Sequence, residues 1–192
     1  MRIPAALVAF LFALSAHASP AGTGDDMDRF LADKGLLARI DHVRQSVSEK
    51  ASELVFTAMG FLGVPYRRGG NTVETGFDCS GFVKAMFEQT LGLILPRKAE
   101  QQAAATQKIE RADLQPGDLV FFNTMRRAFS HVGIYVGEGK FIHSPKPGAE
   151  VRVEDMGLAY WNHRFDGARR VQTAAPETPA PQALPVAEAA VR

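Results

Sequence analysis

The chain has 192 residues, 46% of them hydrophobic, and its 22 Lys and Arg nearly balance 21 Asp and Glu, for a formal charge of +1. That length fits one domain with a sizeable core, and the composition excludes both wholesale disorder and a bundle of membrane helices. Without a basic stripe to meet phosphates, nucleic acid is not an expected partner.

Arg2 precedes an apolar run from Ile3 to Leu14, followed by the small-x-small pattern Ala16-His17-Ala18. This is the layout of a secretory signal peptide over residues 1–18, with cleavage after Ala18. The run falls short of the roughly 20 residues a bilayer-spanning helix needs, and an uncleaved anchor is the alternative reading. Once cleaved, the chain is expected to have no membrane span. No cysteine lies near the cleavage point, so a thiol-linked lipid is not expected there.

Residues 19–48 read as a loose leader, Ser19 to Asp26, followed by an N-terminal helix. Phe30, Leu31, Leu36, Leu37, Ile40, Val43 and Val47 recur at helical spacing. Ala51 to Leu62 reads as a second helix, ended by Gly63 and Pro65. Gly69-Gly70-Asn71 and Thr75-Gly76 punctuate a loop. A further helix is expected to start at Cys79 with Asp78 as its N-cap, carrying Phe82, Val83, Met86 and Phe87. A short one follows over Lys98 to Gln107.

From Gln115-Pro116-Gly117 the texture turns to strands: Asp118 to Phe122, His131 to Val136, Lys140 to Ser144, Glu150 to Glu154 and Arg164 to Val171. Helices first and strands after argue an α+β fold with a mainly antiparallel sheet. The main folded domain is placed at 49–171. Residues 172–192, rich in Ala and Pro, lack the groups that repay ordering and read as a disordered tail.

Cys79 is the only cysteine in the chain. In an oxidising export compartment structural cysteines come in pairs, so a lone thiol asks for a reason. One reading is a small buried hydrophobe. The other is a nucleophile, because a loop delivers Cys79 to the first turn of a helix, where free N–H groups and the helix dipole favour thiolate. Ser80 and Gly81 leave room for a carbonyl beside the sulfur.

A thiol catalyst needs a proton acceptor, and His42, His131, His143 and His163 are the candidates outside the signal peptide. His42 sits in a charged helix and reads as a surface residue, and His163, in Tyr160-Trp161-Asn162-His163, as part of a structural turn. His131 and His143 lie on adjacent strands. With Gly137-Glu138-Gly139 as a three-residue loop, Val136 pairs with Lys140, His131 lies opposite Pro145, and His143 lies opposite Gly133. Both imidazoles then share a face, with Gly133 between them to let a helix approach closely. In this reading His131 meets Cys79 and His143 orients the ring through its other nitrogen. Two alternatives remain: core histidines, or zinc held by one Cys and two His, although the usual short ligand spacings are absent.

Four segments, taken together, resemble the NlpC family of cell-wall peptidases: Phe77-Asp78-Cys79-Ser80-Gly81-Phe82-Val83, Gly117-Asp118-Leu119-Val120-Phe121-Phe122, His131-Val132-Gly133-Ile134-Tyr135-Val136 and Phe141-Ile142-His143. The similarity runs from about Ala51 to Val171. It implies a papain-like fold and a Cys-His dyad completed by a third polar residue, here matching Cys79, His131 and His143. It implies no metal or organic cofactor. Tyr66, in Val64-Pro65-Tyr66-Arg67, matches a tyrosine placed beside the nucleophile to bind substrate or oxyanion; its other reading is a core aromatic. Arg97, in Leu95-Pro96-Arg97, suits either a substrate carboxylate or a structural ion pair.

The resemblance to short single-domain enzymes of diderm bacteria implies a periplasmic hydrolase of peptidoglycan stem peptides, with secretion less favoured. The scissile bond it suggests joins D-alanine to diaminopimelate. The rival bond joins D-glutamate to diaminopimelate. An amidase or acyltransferase on the same scaffold, and a non-catalytic peptidoglycan-binding module, are the readings from other classes.

Overall fold

The structure, a computed structural model, describes residues 36–172. The segment read as a signal peptide, most of the leader and all but the first residue of the tail lie outside the described residues. The first element is a single helix, α1 (Leu36–Met59). The break expected before Ala51 is absent. No Gly or Pro interrupts this stretch, and its serines do not cap a new helix. Ser46 and Ser52 instead bond back to the carbonyls of Val43 and Ser48. Leu54 and Ala58 enter the core, while Val43, Val47 and Phe56 are exposed. No described helix is long and apolar enough to cross a membrane.

A short ladder follows, β1 (Asn71–Thr72) with β2 (Gly76–Phe77), in the stretch expected to be loop. Next comes α2 (Cys79–Leu91), which starts and stops for legible reasons. The Asp78 carboxylate accepts the Gly81 N–H at 2.8 Å, and Gly92 ends the helix at φ 66°. Its buried stripe is Phe82, Val83, Met86 and Phe87, each worth about 1.5–3 kcal/mol when fully buried. Helix α3 (Ala99–Ala104) is shorter than expected, because Gln107 opens strand β3 (Gln107–Ile109).

The main sheet is completed by β4 (Leu119–Phe122), β5 (His131–Gly137), β6 (Lys140–His143), β7 (Arg152–Asp155) and β8 (Phe165–Arg170). A one-turn helix, α4 (Ala159–Asn162), precedes β8 where a turn was expected. Strand order is β3-β8-β4-β5-β6-β7, and every pairing is antiparallel.

Side-chain alternation divides the core in two. Leu119, Phe121, Val132, Ile134 and Ile142 pack with the α2 stripe. Val120, Phe122 and Phe141 pack on the other face with Met156 and Trp161. Because β4 is covered on both sides, all four of its residues are apolar and buried.

The β5–β6 hairpin differs from the expected loop. Glu138 and Gly139 form a two-residue turn, both at positive φ (52° and 72°), and Gly137 pairs with Lys140. The register then shifts between Tyr135 and Gly137, so Ile134 still pairs with Ile142. The shorter loop and the extra residue cancel, and the two histidines keep a common face. Gly133 has a different use from the expected one. A Cβ there would lie 2.6 Å from Phe141 Cδ2, 2.8 Å from the Ile142 carbonyl and 3.1 Å from His143 Cβ. It makes room for the side chains of β6, while α2 packs on the opposite face. Gly133→Ala is therefore expected to cost about 1–3 kcal/mol of stability through overpacking. Urea denaturation of the two proteins measures it, and an unchanged midpoint contradicts this packing.

Candidate active site

Cys79 is half-buried and lines an open cleft of about 1150 Å³. The loop before it is tied down by one carboxylate. Asp78 Oδ2 accepts the Gly69 N–H at 2.9 Å, and Oδ1 accepts the Gly81 N–H. The Arg97 guanidinium donates to both oxygens, at 2.9 and 2.6 Å. Arg97 is thus engaged in an ion pair while it also lines the cleft. The pair holds the Asp78 carboxyl below its ordinary value, against the opposing effect of burial. Gly81 must lack a Cβ, which would meet the Gly70 carbonyl at 2.1 Å. The loop is also joined to the sheet, since the Ser144 hydroxyl donates to the Phe77 carbonyl at 2.7 Å. Buried Gln102 spans the carbonyls of Ser80 and Pro96, at 2.9 Å each.

The thiol does not have the lowered pKa expected of a helix start. Burial, and then the negative charge of Asp78, push it up to about 11. Backbone N–H groups of Val132, Ser80 and Cys79 itself pull the other way without prevailing. At rest the Cys79 thiol is therefore protonated, and its ionisation would need a base.

His131, the first residue of β5, lies on the wall of the same cleft and is 3% exposed. Its Nε2 lies 2.6 Å from His143 Nδ1, and His143 Nε2 lies 2.9 Å from Glu154 Oε2. Burial drives the His131 pKa well below its ordinary value, and His143 lowers it further. Burial also lowers His143, against the opposing pull of Glu154. Both rings are therefore neutral at pH 7. The Trp161 ring stacks on His131 at 5.6 Å between centroids and 25° between planes, and it meets His143 edge-on.

Tyr66 is half-buried on the cleft wall, its backbone N–H donating to the Ala149 carbonyl at 2.8 Å. Burial and the nearby Cys79 and Asp78 raise its pKa, so its hydroxyl remains a donor at neutral pH. Cys79, His131 and Tyr66 thus share one cleft, with His143 directly behind His131. His42 and His163 are exposed and stand apart from it. A zinc centre built on these residues does not suit the geometry, because both nitrogens of His143 are already engaged.

Two contributors escaped the reading of the sequence. Glu154 carries no sign of its role beyond lying on a strand, since only the β6–β7 register brings it to His143. Trp161, the only tryptophan, had its composition as a hint, but only α4 places it over the imidazoles.

Residues 63–170 match the sequence profile of the NlpC/P60 family. The chain is similar to Murein DD-endopeptidase MepH of Escherichia coli K12, 42% identical over 129 residues, covering 65% of this chain and 48% of that protein. It is also similar to the Gamma-DL-glutamyl hydrolase of Bacillus subtilis 168, 43% identical over 118 residues, covering 61% of this chain and 28% of that one. The matched region thus spans half or less of these relatives. A crystal structure of an NlpC/P60 family protein from Bacillus cereus ATCC 10987 superposes with a TM-score of 0.58 at 34% identity, covering 62% of this chain and 39% of that one. These likenesses and the described architecture agree on the α+β, papain-like fold.

The buried histidine pair makes stability depend on pH in a definite direction. Both folded pKa values lie below the ordinary 6.5, so below that pH the unfolded chain binds more protons than the folded one. Stability is then fully present above about 6.5 and is lost as pH falls, by up to about 1.4 kcal/mol per pH unit for each group. The urea midpoint is expected to drop between pH 7 and pH 5, and to drop less in His143→Gln. Equal pH slopes in the two proteins would contradict burial of neutral imidazoles.

Proposed function

Because the chain belongs to the NlpC/P60 family, we propose that it is an exported, periplasmic cysteine peptidase that hydrolyses stem-peptide amide bonds in peptidoglycan. The observation that carries this reading is the shared cleft, which a helix-start thiol and a neutral imidazole both line. In the proposed reaction Cys79 Sγ attacks the substrate carbonyl while its proton passes to His131. The Sγ–C bond forms, the C–N bond breaks, and His131 returns the proton to the leaving amine. Water, deprotonated by the same imidazole, then releases the acid and restores the thiol. Backbone N–H groups at the start of α2, with the Tyr66 hydroxyl, hold the oxyanion. No step calls for a metal or an organic cofactor.

The charge of the cleft supports an anionic substrate. Arg68, Lys98, Arg127 and Lys146 line it without a salt-bridge partner among the described residues. Two of the three lining carboxylates, Asp78 and Glu154, are already neutralised by Arg97 and Arg152. Stem peptides carry free carboxylates on both sides of the candidate bonds. The preferred bond is D-alanine–diaminopimelate, in line with the DD-endopeptidase name of the MepH relative. The second reading is the D-glutamyl–diaminopimelate bond; the name of the similar gamma-DL-glutamyl hydrolase supports only a glutamyl bond as its target.

Mass analysis of fragments released from purified sacculi tests both. Cross-linked dimers converted to monomers support the first bond, and disaccharide separated from diaminopimelate-containing peptide supports the second. Cys79→Ala and His131→Ala are expected to abolish release, and Tyr66→Phe to lower kcat about 100- to 1000-fold by removing one oxyanion donor. Release by folded Cys79→Ala would refute the nucleophile. The double charge reversal Arg127→Glu and Lys146→Glu is expected to raise KM on soluble muropeptides several-fold at low salt, with little change in kcat and a smaller effect at high salt. A KM unaffected by the reversal would remove the electrostatic argument for an anionic substrate.

A further inference from the structure

The nitrogen that His131 turns toward the thiol is decided by hydrogens the rest of the chain of groups must place. Glu154 is an ionised carboxylate, held below its ordinary pKa by His143 and Arg152 against burial. An ionised carboxylate only accepts. Its Oε1 takes the Arg152 guanidinium, with Nε at 2.9 Å and Nη2 at 2.7 Å, which leaves Oε2 to accept from His143 Nε2 at 2.9 Å. A neutral His143 that donates through Nε2 has its lone pair on Nδ1. That nitrogen, 2.6 Å away, can then only accept from His131 Nε2. A neutral His131 that donates through Nε2 has its own lone pair on Nδ1, the one ring nitrogen not already engaged.

We propose that Glu154 is a positioning residue that sets both histidine tautomers and leaves His131 Nδ1 as the base for Cys79. The same carboxylate stabilises the reaction's intermediate charge. When the thiol proton reaches Nδ1, the cation is buried against His143 and the rings of Trp161 and Phe122. Glu154 is then the nearest anion along the hydrogen-bonded chain. Arg152 opposes that charge but also fixes the carboxylate, and Asp78 and Tyr66 face the sulfur rather than the imidazoles. The backing spans three adjacent strands: β5 supplies His131, β6 His143, and β7 both Glu154 and Arg152. The β6–β7 register, Phe141 opposite Glu154 and His143 opposite Arg152, brings the carboxylate within reach of the second ring.

This proposal rests on Cys79 and His131 as the reacting pair, and its test reads the imidazoles and the thiol without any cell-wall substrate. Nitrogen NMR of the full chain, labelled at histidine, is expected to show hydrogen on Nε2 of both His131 and His143 at pH 7.5. Hydrogen on Nδ1 of His131 in the wild type overturns the proposal outright. Glu154→Gln can donate or accept at the same place, so its histidines are expected to show mixed or reversed tautomers. Its alkylation by iodoacetamide at pH 7.5 is expected to slow about tenfold, the change that one unit in a titration equilibrium gives. Glu154→Asp is expected to recover part of that rate, and Glu88→Gln, on the exposed face of α2, none of these changes. Wild-type tautomers and alkylation retained in folded Glu154→Gln would overturn the assignment. If the variant fails to fold, the wild-type spectrum decides. Absence of sacculus cleavage by wild type would count against the proposed function and leave this test standing.

Discussion

The Asp78 carboxylate is the point on which the rest of the site depends. Its two oxygens accept from the Gly69 and Gly81 backbone and from both terminal nitrogens of Arg97, so a loop, a helix and a distant arginine converge on it. Capping α2 fixes where that helix begins and therefore where Cys79 stands relative to the sheet. The closeness of this junction is written into its glycines. Gly81 lies so near the Gly70 carbonyl that no other residue fits without a shift of backbone.

That arrangement has an electrostatic consequence. The anion that places the thiol also opposes its ionisation, and burial adds to the opposition. The three backbone N–H groups around the sulfur do not overcome both. Helix-start placement is then better understood as geometry than as thiolate activation. In the proposed reaction proton removal falls to His131, whose burial in turn makes it a weak base at rest. A neutral thiol beside a neutral imidazole suits a site that ionises only as the carbonyl is attacked, and a carboxylate at the far end of the histidine chain suits the charge that then appears.

Burial on both faces of the sheet makes these positions rigid. One layer holds α2 against Val132, Ile134 and Ile142, and the other packs Trp161 and Phe141 around the imidazoles. The histidines belong to the second layer, while Cys79 is carried at the start of the helix in the first. Ser144, hydrogen-bonded to the Phe77 carbonyl, joins the two.

The sequence by itself determined those features that rest on local chemistry. Asp78 reads as an N-cap because its short carboxylate can reach N–H groups one turn ahead, and the Asp78-to-Phe82 stretch does form that helix start. The strands from Leu119 onward were legible from apolar runs between turn residues. The common face of His131 and His143 was legible too, although for a partly mistaken reason, since a shorter turn and a register shift compensated each other. Local chemistry also failed in places. The break expected before Ala51 does not form, because Ser46 and Ser52 bond within the helix, and Gln107 reads equally well as a helix end or an edge strand. Only the tertiary structure decided the pairing of Arg97 with Asp78, the reach of Glu154 to His143, the stacking of Trp161, and the direction of the Cys79 pKa. Each of these depends on groups far apart in the chain or on how much water a fold excludes, and neither is encoded in the spacing of neighbouring residues.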